Sequence, residues 1–216
     1  MTTNLPVEEI EMDRADNYKN TKRWFVLALS AWAVAVFVAG YYGVFTKVGR
    51  IWIPPLVVAG ITIPVLVYYR NENFRSYIWS IDLKYLTVFH LWRIAAGLWF
   101  LYCGSQNLLP EQFVNKAAYG DLAVGFLVPI VLMLRQGRGK YLVFHLFGLL
   151  DFVVAVGTGL TLTVLQVPLM ENIATFPTVL IPLYGVCVTG ALSIMTLDRL
   201  IRRRLSVSKP ALNHSW

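Results

Sequence analysis

The stretch Lys84–Ser105 reads KYLTVFHLWRIAAGLWFLYCGS. From Leu86 onward it is almost wholly apolar, interrupted only by His90 and Arg93. A hydrocarbon core about 30 Å thick takes roughly 20 helical residues to cross, so this run is one membrane span long. A second stretch, KYLVFHLFG from Lys140, repeats its opening: Lys-Tyr-Leu, then Phe-His-Leu and an aromatic residue. Two of the three histidines in the chain therefore stand at the same point of two apolar runs.

The remaining sequence fits the same solvent. Of 216 residues, 57% are apolar and 14% charged, against about a quarter charged in soluble domains. Six runs are long enough to cross a bilayer: 24–45, 51–69, 86–105, 118–134, 141–165 and 176–197. The expected fold is all-α, an integral bundle of six transmembrane helices. Pro54, Pro55 and Pro64 interrupt the second run, which neighbouring helices tolerate by satisfying the freed carbonyls. The first run is too long for a signal peptide and follows the acidic residues Glu8, Glu9, Glu11, Asp13 and Asp16.

Basic residues set the orientation. Fifteen lysines and arginines fall in the N-terminal segment, the second and fourth loops and the C-terminal end, against three (Lys47, Arg50 and Lys116) in the opposite loops. Lysine and arginine collect on the cytoplasmic side, so both termini are expected there. A net charge of +7 then needs no nucleic-acid partner, and RLIRRR at 199–204 reads as a topology anchor.

Residues 1–22 are polar and acidic and are expected to be disordered. Residues 23–204 form the membrane domain and 205–216 a cytoplasmic tail. Between the second and third runs, Phe74, Tyr77, Ile78, Ile81 and Tyr85 recur at amphipathic-helix spacing, which predicts a helix that lies along the cytoplasmic interface or extends the third span inward. The repeated Phe-His-Leu segments, 55 residues apart, point to a duplicated two-helix hairpin with His90 and His145 at equal depth. Cys103 and Cys187 differ in expected depth by roughly 12 Å, too far for a disulfide.

Ionisable side chains inside a bilayer are costly and are functional candidates. Here they are His90, Arg93, Asp121, His145 and Asp151. His90, Arg93 and Gly97 share one face of the third run. His145, Gly148, Asp151, Ala155, Thr158 and Thr161 form a small and polar stripe on the fifth, and Pro182, Gly185, Thr189, Ser193 and Thr196 one on the sixth. Such faces turn toward other helices. A buried arginine needs a carboxylate, so Arg93 and Asp151 are expected to be linked. Asp121 reads equally as a bundle residue or as one facing external water. No phosphate loop, His-Glu-x-x-His, paired-cysteine metal motif or Gly-x-Ser-x-Gly elbow occurs, and no metal site is expected.

From Val88 to about Arg202 the chain resembles an uncharacterised family of small bacterial polytopic inner-membrane proteins. The motifs that carry this are His90-x-x-Arg93 with Gly97, Leu109-Pro110 with Phe113, Gly120-Asp121 with Gly125, and Gly148-Leu149-Leu150-Asp151. The resemblance marks His90, Arg93, Asp121 and Asp151, and not His145. It implies no assigned activity.

Three functions follow as expectations. The first is an intramembrane site for a small or lipophilic ligand, serving transport or membrane-embedded chemistry. In it Arg93 holds an anionic group, Asp151 balances it, and His90 carries protons. The second is a redox protein in which His90 and His145 are axial ligands of haem b. The third is an accessory or assembly subunit whose charges only lock helices. Expected partners are the bilayer and the ligand, with a second copy of the chain or a membrane complex left open.

Overall fold

The computed structural model describes residues 7–135 and 137–207. Among them no strand occurs. The helices are α1 Val7–Tyr41, α2 Val44–Val48, α3 Ile53–Arg70, α4 Glu72–Ser80, α5 Leu83–Val88, α6 Trp92–Ser105, α7 Glu111–Met133, α8 Arg138–Val164 and α9 Cys187–Val207. Six stretches are long and apolar enough to cross a membrane: Asp16–Tyr41, Arg50–Arg70, Leu83–Ser105, Glu111–Met133, Arg138–Val164 and Ile181–Arg202.

Local chemistry sets the helix ends. Pro54 and Pro55 occupy the first turn of α3, where a missing N–H costs nothing. Asn71 caps α4 by accepting from the Phe74 amide at 2.9 Å, and Asp82 caps α5 through the Lys84 amide at 2.9 Å. These two caps overturn the single interfacial helix expected from Phe74 to Tyr85. Ile81 is extended, the chain breaks before Asp82, and Tyr85 points out to 72% exposure while Tyr77 and Ile78 are buried.

Other boundaries also shift. The expected disordered segment 1–22 is helical from Val7, because α1 runs unbroken from the apolar run back through it; residues 1–6 lie outside the described part. Each added residue of a nucleated helix gains a hydrogen bond, which favours extension back from the apolar run. The fourth span begins at Glu111 instead of 118, since Pro110 ends the preceding loop and the polar turns after it are helical. The sixth begins at Ile181 instead of 176, after turns over 175–180, and opens with the π-helical segment Ile181–Val186. α9 then continues to Val207, into the expected tail, the rest of which lies outside the described residues.

The sixth stretch is the centre of the bundle and the first its periphery, 61% against 11% buried. α6 and α7 form the closest hairpin. A Cβ added at Gly97 would lie 2.8 Å from the Ala118 carbonyl, and one at Gly125 2.5 Å from Ile94 Cγ1. Two glycines thus bring the backbones together, which places Arg93 of α6 against Asp121 of α7. The repeated motifs differ locally: Phe89–Leu91 is a 3₁₀ turn, whereas the segment around His145 is α-helical.

Candidate functional site

Arg93 is fully buried, and three of its nitrogens donate. Nε donates to Asp121 Oδ1 at 2.7 Å, Nη2 to Asp151 Oδ2, and Nη1 to the Gly148 carbonyl at 3.3 Å. The Phe152 ring lies against the guanidinium, 4.0 Å from Cζ to its centroid. The cluster draws one residue from α6, one from α7 and three from α8. Gly120 makes room for it: a Cβ there would coincide with the Asp151 carboxylate, whereas one at Gly148 would meet Arg93 Nη1 at ordinary contact distance, 3.4 Å.

The expected Arg93–Asp151 link is present. Asp121 is resolved in favour of the bundle: it is 4% exposed and shares the same guanidinium. Three of the five N–H groups of Arg93 are placed on two carboxylates and a carbonyl, so its charge is already balanced within the cluster. With both carboxylates ionised the cluster carries one net negative charge.

An apolar cavity of about 50 Å³ abuts this cluster, lined by Phe100, Phe113, Asp121, Phe152, Met170 and Pro182 among others. Asp121 is its one charged wall. Oδ1 of Asp121 takes the bond from Arg93, while Oδ2 receives no hydrogen bond from the described residues. The space holds several waters or a small group. The π-helical segment supplies part of the wall through Ile181, Pro182 and Val186. π-bulges of this kind recur where a helix is reshaped for a site.

His90 and His145 also come together, at 5.3 Å between ring centroids and fully buried. Ser193 on α9 bridges them, 3.3 Å from His90 Nε2 and 3.3 Å from His145 Nδ1. Phe144 packs on both rings, at 5.2 and 5.3 Å. This geometry does not fit axial ligation of one haem. The macrocycle would have to pass between two imidazoles that already touch each other, Ser193 and Phe144.

The polar stripe on the sixth span is buried along its length, from Pro182 in the π-helical segment through Ser193 to Thr196 on α9. That on α8 departs from expectation at its outer end. Thr161 is exposed and bonds back to the Gly157 carbonyl, and Gly159 and Thr163 turn inward instead. Ser193 was visible only as a member of its stripe, and nothing in the local sequence marks it as a bridge. Phe152 was not legible as the face of Arg93. Cys103 and Cys187 are free and buried, as expected.

A family model described as a domain of unknown function, DUF8737, matches residues 50–201. The chain belongs to the DUF8737 family. No curated protein and no solved structure matches the chain. The DUF8737 region takes in every residue of the charge cluster, the histidine pair and the cavity, and leaves out all of α1 and α2. The part of the molecule that builds the site is thus the part that defines the domain.

Proposed function

We propose that this DUF8737 protein is a polytopic membrane protein whose charge cluster binds a small, largely apolar ligand bearing a cationic or hydrogen-bond-donating group, for passage through the membrane. One observation carries this reading: Asp121 stands at the wall of an otherwise uncharged cavity with Oδ2 unengaged, while the cation that balances it is buried behind and shared with Asp151. A buried site one negative charge in excess is costly, and a ligand cation or a proton relieves it. Both compete for the same charge, which links binding to protons.

Depth supports the reading. By helix rise, Arg93 and Asp121 lie about 15 Å from the start of their spans and Asp151 about 20 Å, near mid-membrane. The cavity walls favour binding over covalent chemistry, since Asp121 and Thr163 are their only polar side chains and no nucleophile is paired with a base. The reading retains both termini in the cytoplasm, on the distribution of lysine and arginine, and the inner membrane as location, on the resemblance to inner-membrane proteins. It also keeps the two-helix repeat, supported by the meeting of His90 and His145.

A matched panel of short alkyl amines, alcohols and carboxylates, read by thermal shift of the purified protein, tests the proposal. Amines should stabilise the wild type, less so as the pH falls and carboxylates protonate, and Asp121→Asn should lose the effect. Preferential binding of carboxylates, or an unaltered Asp121→Asn response, would overturn it.

A further inference from the structure

The geometry points to His90, Ser193 and His145 as a proton relay inside the bundle, a function separate from ligand binding at Asp121. Each ring has one nitrogen on Ser193 and one with no partner: His90 Nδ1 and His145 Nε2 are buried and unbonded among the described residues. A serine hydroxyl has one proton to give and lone pairs to receive. For both 3.3 Å contacts to be hydrogen bonds in a chain, one ring donates to Oγ and the other accepts from it.

Only two arrangements do this with neutral rings. In the first, His90 Nε2–H donates to Ser193, Ser193 donates to His145 Nδ1, and the proton of His145 is on Nε2. In the second every bond is reversed: His145 Nδ1–H donates to Ser193, Ser193 donates to His90 Nε2, and the proton of His90 is on Nδ1. Both rings therefore carry the same tautomer, Nε2–H in the first arrangement and Nδ1–H in the second. One transfer interconverts them. A proton binds His90 Nδ1, the Nε2 proton of His90 moves to Oγ, the hydroxyl proton moves to His145 Nδ1, and the Nε2 proton of His145 leaves. One proton enters, one leaves, and no charge remains. A second transfer in the same direction requires the three groups to reorient first.

The surroundings suit this. His90, His145 and Ser193 are fully buried and Phe144 packs on both rings, which keeps competing water from the bridge. The nearest charges are those of the Arg93 cluster. A Cβ at Gly148 would lie 3.4 Å from Arg93 Nη1 and 3.8 Å from His90 Cε1, so one glycine separates the relay from the charges. The guanidinium is neutralised by Asp121 and Asp151, so no unbalanced cation prevents a proton from reaching His90. Ser193 is the positioning residue, and the two imidazoles are the carriers.

Nitrogen-15 NMR of histidine-labelled protein in lipid bilayers reads the tautomers directly. His214→Gln removes the third histidine signal. Both remaining rings should be neutral and share one tautomer, and Ser193→Thr, which keeps the hydroxyl, should preserve this. In Ser193→Ala the His90 Nε2 and His145 Nδ1 resonances should move. Exchange of the ring protons with solvent deuterium should slow by at least about a hundredfold, the lower end of what a positioned transfer contributes. Opposite tautomers or a charged ring in the wild type would overturn the relay. So would unshifted resonances or unchanged exchange in Ser193→Ala. None of these readouts depends on whether the cavity takes an amine.

Discussion

Arg93 faces two carboxylates with one charge, so its three partners are not equivalent to lose. Arg93→Met leaves Asp121 and Asp151 buried without a counter-charge and should cost about 3–5 kcal/mol. Asp151→Asn keeps the Arg93–Asp121 pair and should cost less, about 1–3 kcal/mol. Thermal unfolding in detergent ranks them, and an Asp151→Asn cost equal to that of Arg93→Met would contradict the shared-charge arrangement. Gly120 tests the same packing, because its added Cβ would meet the Asp151 carboxylate. Gly120→Ala should be damaging alone and milder beside Asp151→Ala, with a coupling above about 0.5 kcal/mol in a double-mutant cycle. At this scale the sequence disclosed the Arg93–Asp151 link, because a buried guanidinium must find a carboxylate. It left Asp121 undecided for a definite reason. A start at Ala118 placed Asp121 near the membrane edge, whereas the helix begins at Glu111 and carries it about 15 Å inward.

The reshaped start of the sixth span is the element on which the cavity depends. The Trp92 ring occupies the space beside Gly185 that any side chain would need. Gly185→Ala should force the ring aside and cost about 1–3 kcal/mol by overpacking, seen as a lowered melting temperature; an unchanged melting temperature would show that the segment has slack. At the other end of α9, Asp198 ties the short α4 to the bundle. Trp79 Nε1 donates to the Tyr68 hydroxyl at 2.6 Å, which donates to Asp198 at 2.8 Å. Asp198 also accepts from Arg202 at 2.8 Å. Asp198→Ala should loosen α4 and speed tryptic cleavage after Arg70 and Arg75, and an unaltered rate would show that apolar packing alone holds it. Apolar periodicity found α4 but ran it through Asp82, since a hydrophobic pattern does not register a cap. The π-helical segment had no signal beyond Pro177 and Pro182, because its hydrogen-bond shift is set by what packs against it.

For the whole molecule, six apolar spans were legible because length and hydrophobicity are properties of each segment alone. Which faces meet was legible in part, from the small residue Gly97 and from the charges of Arg93 and Asp151. The histidine pair was legible as a repeat but not as a contact, since Ser193 comes from a helix outside the matching segments. Topology remains the largest proposal at this scale. In a variant lacking Cys103 and Cys187, a cysteine at Gln106 or Glu171 should react with an impermeant reagent from outside, and one in the 135–140 loop should not. The reverse pattern would invert the orientation. The account's central claim is that the buried charges serve a ligand and not only the fold, and the charge-free variant Arg93→Met/Asp121→Leu/Asp151→Leu separates the two. Replacing a buried ionic group with packed apolar residues is often neutral or stabilising. Measured side by side with the wild type, the variant should melt at an equal or higher temperature yet bind no alkyl amine, and a folded variant that binds the amine as the wild type does would contradict the claim.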